Sequence, residues 1–219
     1  MTSITKIFNP TVGRKALMAL TGLFLCVFLC EHLYGNLLLY YNDHGHQYEL
    51  YTHILTRTLL IRIVEYGLFA AFIIHAIDAL LLTISNRKAR PIKYAVAQSS
   101  KNSTWVSRNM GLTGSVILFF LVVHLRMFFF PHRFLDDHTG MYEEVVEAFQ
   151  NPGYVAFYVF SVIILGLHLS HGFQSAFQTL GMNNKNYAPI IKLIGTLFAL
   201  IMTIGFASVP IVYYFQILK

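Results

Sequence analysis

Five apolar stretches, each long enough to cross a bilayer, constrain this chain more than any other feature. They run Ala16–Tyr41, Thr58–Ile84, Met110–Phe130, Gly153–Leu180 and Ile190–Phe215. Each exceeds the roughly 20 residues a helix needs to span hydrocarbon at 1.5 Å per residue. A strand open to lipid would leave its backbone groups unpaired, so all five are expected to be helices. The 12% content of charged residues is half the roughly 25% of a soluble domain and fits lipid as the main solvent. Cys26 and Cys30 both lie inside an apolar run, so they read as no disulfide framework, and no CxxCH segment marks covalent haem attachment. The opening MTSITKIFNPTVGRK is polar for too long, and the apolar run after it is too long, for a cleaved signal peptide. No internal repeat or low-complexity segment is evident. The expectation is one domain over residues 1–219, an all-α integral membrane protein with five transmembrane helices in one bundle.

The connections divide by charge. Lys6, Arg14 and Lys15 precede the first span, and Arg87, Lys88, Arg90, Lys93, Lys101 and Arg108 fill the second connection without an opposing acid. The third connection instead carries Asp136, Asp137, Glu143, Glu144 and Glu147 against Arg133. By the bias of Lys and Arg in short loops, the N-terminus and the second and fourth connections face the cytoplasm, and the C-terminus lies outside.

Ten histidines accompany this apolar composition, and His32, His75, His124, His168 and His171 sit well inside spans. A single intramembrane histidine can be a satisfied polar link between helices; four helices carrying at least one each call for a common purpose. Counted from the cytoplasmic ends of the spans, His32 and His124 lie roughly 24–26 Å deep and His75 and His168 roughly 16–18 Å. The first and third spans thus place an imidazole on an outer level, the second and fourth on an inner one. Two imidazoles from different helices at one depth are what a six-coordinate b-type haem requires, one nitrogen on each side of the iron. The pattern therefore predicts a di-haem bundle with two haem b groups. His171 is one helical turn nearer the cytoplasm than His168 on a similar face, and spacing does not choose between them. Arg126, near the outer surface, can neutralise a haem propionate or simply snorkel to the interface. Lys15, Arg87 and Lys93 are the corresponding candidates on the inner side.

At TGLFLCVFLCEHLYGN, FIIHAIDALLL, LFFLVVHLRMF and LGLHLSHGFQSAFQTLG the sequence resembles the cytochrome b subunit of succinate dehydrogenases and fumarate reductases, in its five-helix, single-anchor, di-haem form. The resemblance spans nearly the whole chain. It implies outer haem ligands at His32 and His124 and inner ligands at His75 and His168, with His171 beside the inner group. It further implies an iron–sulfur subunit and an FAD-containing flavoprotein on the cytoplasmic face. Electrons would pass between them and a membrane quinone, menaquinone in this type, within the tricarboxylic acid cycle or fumarate respiration of a bacterium. The multi-pass chain would sit in the bacterial inner membrane, and the dicarboxylate active site would lie on the flavoprotein, since this chain has neither a Rossmann fingerprint nor a set of iron–sulfur cysteines. No nucleic-acid partner is expected. One departure stands out: some fumarate reductases of this type carry a Glu, implicated in proton movement, two residues before the fourth-helix ligand, where this chain has Gly166.

The implied quinone position, close to the outer haem, directs attention to the outer connection and to His44, His46, Tyr48, Glu49 and His53. The alternatives are a quinone-linked cytochrome of a hydrogenase or formate dehydrogenase, a histidine-dependent transporter using Glu31 and Asp78, or a haem-free anchor. A transporter would want clustered ligands such as His-x-x-x-His, or carboxylates at the same depth, and only His168 and His171 come near that.

Overall fold

The computed structural model describes residues 10–88, 105–134, 140–182 and 184–217. Lys6, Arg90, Lys93, Lys101, Asp136 and Asp137 lie outside them. Helix α1 (Pro10–Leu37) runs through a short 3-10 turn (Leu38–Tyr40) to α2 (His46–Arg57), and α3 (Leu59–Lys88) returns across the bundle. A single turn, α4 (Trp105–Arg108), precedes α5 (Met110–His124), which continues through a π-turn (Leu125–Phe129) into α6 (Phe130–Phe134). The short α7 (Met141–Ala148) follows, then α8 (Pro152–Thr179) and α9 (Ala188–Tyr214). Among the described residues, five helices are long and apolar enough to cross a membrane, at Val12–Tyr40, Leu59–Lys88, Met110–Phe134, Pro152–Thr179 and Ala188–Tyr214.

The sequence explains where these helices start and bend. Asn151 accepts from the backbone N–H groups of Gly153 and Tyr154 at 2.9 and 3.1 Å, with Pro152 in the first turn of α8, where its missing N–H goes unneeded. The third span is four residues longer than the apolar run suggests because it passes Pro131 without breaking. Proline removes one N–H and crowds the carbonyl four residues back; the widened turn just before it, closed by the Phe130 N–H on the Leu125 carbonyl, absorbs the mismatch.

Two apolar clusters hold the bundle. Leu33, Val162, Leu169, Ala199, Met202 and Phe206 join α1, α8 and α9 in its middle. Leu39, Val145, Phe149, Val155, Val209 and Tyr213 join the outer ends to α7. Tyr213 donates its hydroxyl to the Leu39 carbonyl at 2.6 Å, and Tyr40 donates to Ser208 Oγ at 2.7 Å. The short helices α2 and α7 meet over this end, where Glu49 Oε1 accepts from the Tyr142 N–H at 2.6 Å.

Tyr48 lies beneath that cap, and its phenol is pushed up to about 12 by burial and by the Glu49 and Glu144 carboxylates. Because its folded value lies above the ordinary value of about 10, the stabilising effect of the neutral phenol is complete below pH 10 and is lost as pH rises toward 12. The cap is expected to stay closed to pH 10 and to open above it. Tyrosinate absorbance followed alongside proteolysis of the α2–α7 connections checks this.

Candidate functional site

The histidines of the spans come together in pairs. On the outer level, the rings of His32 on α1 and His124 on α5 lie 5.8 Å apart between centroids, with planes at 87°. A metal held about 2 Å from one nitrogen of each ring would set the centroids about 6 Å apart. The structure thus brings one imidazole from each of these two helices to a spacing of that order. Phe28 stacks on His32 one turn earlier on the same helix, at 5.3 Å and 20°, and Phe206 of α9 closes its other side at 5.6 Å. Phe120 stacks on His124 in the same manner, at 5.7 Å and 29°, and Tyr158 of α8 hydrogen-bonds His124 Nδ1 through its hydroxyl at 2.5 Å.

The inner level is formed by His75 of α3 and His168 of α8, each tied to a threonine of another span. Thr21 of α1 meets His75 Nδ1 at 3.1 Å, and Thr113 of α5 meets His168 Nδ1 at 3.0 Å. The adjoining glycines are seats for these rings. A methyl group on Gly22 would stand 3.2 Å from His75 Cε1, and one on Gly114 3.6 Å from His168 Cε1. All four rings remain only partly covered by protein, although they stand inside the bundle.

The inner level thus sits at the depth of Thr21, eleven residues before His32 on the same helix. That separates the levels by about 16 Å, rather than the roughly 8 Å obtained by counting from the span ends. The count went astray because the inner ends of the spans are staggered: Thr113, which meets His168, lies three residues from the start of α5, whereas His168 lies eleven residues from the end of α8.

Residues 86–206, more than half of the chain, match the family of the succinate dehydrogenase/fumarate reductase transmembrane subunit. The chain belongs to that family. No curated protein and no solved structure matches it. The matched segment of this transmembrane subunit contains His124, Arg126, His168 and His171, whereas His32 and His75 lie before it. The subunit is thereby the multi-pass membrane component of a multi-subunit enzyme.

The remaining candidates of the subunit fall around the two levels. Arg126 is exposed on the π-turn, with its guanidinium over the Phe130 ring at 5.3 Å. His171 is partly buried one turn from His168. Lys15 lines a recess of about 300 Å³ with Ser175, Gln178 and Thr179 between the inner ends of α1 and α8. A second recess, of about 260 Å³, joins Arg14 to Asp78 across Leu17, Ile74, Ile77 and Leu81. Asp78 is 5% exposed, and its Oδ2 has no hydrogen-bond partner among the described residues.

Of the outer-connection residues, His44, His46 and His53 are exposed, and Glu49 is engaged by the Tyr142 backbone. Glu31, next to His32, accepts a short hydrogen bond from the Tyr51 hydroxyl of α2. Burial and this carboxylate together raise the Tyr51 phenol far above its ordinary value. Among the described residues no three of His, Cys, Asp and Glu converge as a metal cluster. Thr21, Thr113, Tyr158 and Phe206 were not singled out by sequence reasoning, because single polar or aromatic residues in apolar helices carry no signal until the neighbouring helix is known.

Proposed function

We propose that this transmembrane subunit binds two b haems, one between His32 and His124 and one between His75 and His168, and carries electrons between an iron–sulfur partner and membrane quinone. The observation that carries the reading is the pairing of histidines from different helices on two levels, within a member of this family. The donor set fits the group: each level offers two neutral imidazoles, the outer centroid spacing suits one intervening metal, and glycines leave room beside the inner rings. When bound, each haem supplies a one-electron iron couple.

The chain's own work is to fix where those couples stand. His32 and His124 are held by stacked phenylalanines, and the Tyr158 hydroxyl restrains the His124 ring. Thr21 and Thr113 hold the inner pair. Lys15 in the α1–α8 recess provides positive charge for carboxylates on the inner side, and Arg126 does so on the outer side. An imidazole whose other ring nitrogen is already hydrogen-bonded is held in one orientation and tautomer, which is the service these hydroxyls would perform for a bound haem. His171, a turn from His168, remains free to meet the inner group at its edge.

The basic face, with Arg14, Lys15, Arg87 and Lys88, is the docking side for the iron–sulfur subunit, with the flavoprotein beyond it acting on succinate or fumarate. Quinone, in this type menaquinone, reacts near the outer pair, where Glu31 and Tyr51 form a proton-exchanging couple beside His32. The setting is the inner membrane of a bacterium.

The purified complex is expected to show two haems b per chain in a reduced-minus-oxidised spectrum with haem quantitation. Flavoprotein and iron–sulfur subunits are expected to copurify. A chain with no haem would sink the proposal, and copurification of a hydrogenase instead would reassign the complex.

A further inference from the structure

Contrary to the expectation of no internal repeat, two spans of the bundle share a common pattern. Met18–Leu33 and Met110–Leu125 share Met-x-Leu-Thr-Gly-x5-Phe-Leu-x2-His-Leu. The structure gives the shared residues the same contacts. In each copy the Phe stacks on the His of its own helix, at 5.3 Å in the first and 5.7 Å in the second. In each copy the Thr meets Nδ1 of a histidine on the next span, 54 residues later for Thr21 and 55 for Thr113. In each copy the Gly lies against that same ring. Helices α1 with α3, and α5 with α8, are therefore equivalent halves, and both histidine pairs form between the halves. Helix α9 stands outside the repeat.

From this equivalence we infer that Thr21 and Thr113 are matched positioning residues which lock His75 and His168 as Nδ1–H donors and so leave both Nε2 lone pairs free for a metal. The inference rests on the haem reading above and deepens it. Donor arithmetic supplies the direction of each bond. A threonine hydroxyl has one hydrogen. In Thr21 it goes to the Leu17 carbonyl at 2.8 Å, and in Thr113 to the Met110 carbonyl at 3.1 Å. What each Oγ1 then presents to the ring is a lone pair, so Nδ1 must carry the proton. A neutral imidazole has only one N–H, which leaves the Nε2 lone pair for a metal. Thr113 is 2% exposed and Thr21 8%, so water does not compete for either bond. Both hydroxyls belong to the inner level; the outer level is held by aromatic rings and Tyr158, so the two levels are tuned by different chemistry.

An acceptor on Nδ1–H makes the opposite nitrogen a stronger donor and favours the ferric state. Removing it should weaken that preference. The test uses the intact complex carrying Thr21→Val, Thr113→Val and the two Thr→Ser variants, each titrated potentiometrically with haem difference spectra and electron paramagnetic resonance. The inner haem is identified as the one missing from His75→Ala. Each valine variant is expected to raise the inner midpoint by about a tenfold change in the reduction equilibrium, roughly 59 mV for one electron. The two shifts should match in size, the outer haem should keep its potential, and both serine variants should behave as wild type. If a valine variant loses the inner haem outright while its serine counterpart keeps it, the proposal is supported equally. Valine variants at the wild-type potential, serine variants that behave like valine, or an equal shift of the outer haem would each overturn it. Those failures in a haem-replete wild type leave the haem reading standing; a haem-free wild type removes both.

Discussion

Replacing His124 by alanine is expected to lower the haem content of the complex from two per chain to one, with the outer group lost and the inner one retained. The His124 ring stands 5.8 Å from His32 and belongs to no contact of the inner level. Its loss leaves one imidazole where six-coordinate iron needs two, so the low-spin signature of that group should vanish even if traces of haem remain. The substitution also strands the Tyr158 hydroxyl, which costs about 1–3 kcal/mol where it is shielded from water. A companion variant separates the two effects. Tyr158→Phe removes the polar partner of His124 while keeping the ring among Phe120, Phe128 and Phe149, and should retain both haems. If His124→Ala kept both groups, or if His124→Ala and His75→Ala abolished the same one, the assignment of pairs would fail. Quantitation by pyridine haemochrome on matched amounts of complex decides it.

Installing a glutamate at Gly166 is expected to destabilise the bundle rather than create a proton route. A Cβ there would fall 1.9 Å from Thr203 Oγ1 and 3.2 Å from Thr203 Cβ, so α8 and α9 cannot keep their present approach. The threonine is held in place by its hydroxyl bond to the Ala199 carbonyl at 2.7 Å. Overpacking together with a carboxylate in the membrane interior should cost about 3 kcal/mol or more, seen as reduced accumulation and a lower melting temperature of the complex. Thr203→Ala in the same chain should restore part of the loss, because the residues touch and their effects couple. Full stability of the Gly166→Glu single variant would contradict the packing. The carboxylate that the resemblance brought to mind is therefore missing for a steric reason: α9 occupies its space.

The helical bundle and its number of crossings were legible in the sequence because lipid leaves a chain so few options. Every backbone polar group in hydrocarbon must be paired locally, so twenty apolar residues mean a helix almost irrespective of which residues they are. The four histidines were legible for a related reason, since a polar ring is costly at that depth and stands out against its background. Their grouping as outer and inner pairs followed from depth alone, although the separation of the levels came out too small. The span ends were the weak reference, because they do not share a plane: Thr113, three residues into α5, meets His168, which stands eleven residues from the end of α8.

Which face each histidine turns to its neighbours was not in the sequence. Thr21 and Thr113 look like ordinary threonines bonding back to their own helices, which they also do. Only the crossing of α1 with α3, and of α5 with α8, makes their second bond. The half-matching segments 18–33 and 110–125 escaped notice for the same reason, since eight shared residues among apolar neighbours carry little weight until identical contacts are seen around them. The sequence by itself determined the solvent, the secondary structure and the inventory of intramembrane histidines, because these depend on burial and local pairing along one chain. The tertiary structure alone decided which nitrogen of each inner ring is engaged, how far apart the levels lie and why residue 166 must be glycine. Those are properties of helix–helix contact, fixed by how the spans lean on one another and not by the periodicity of any one of them.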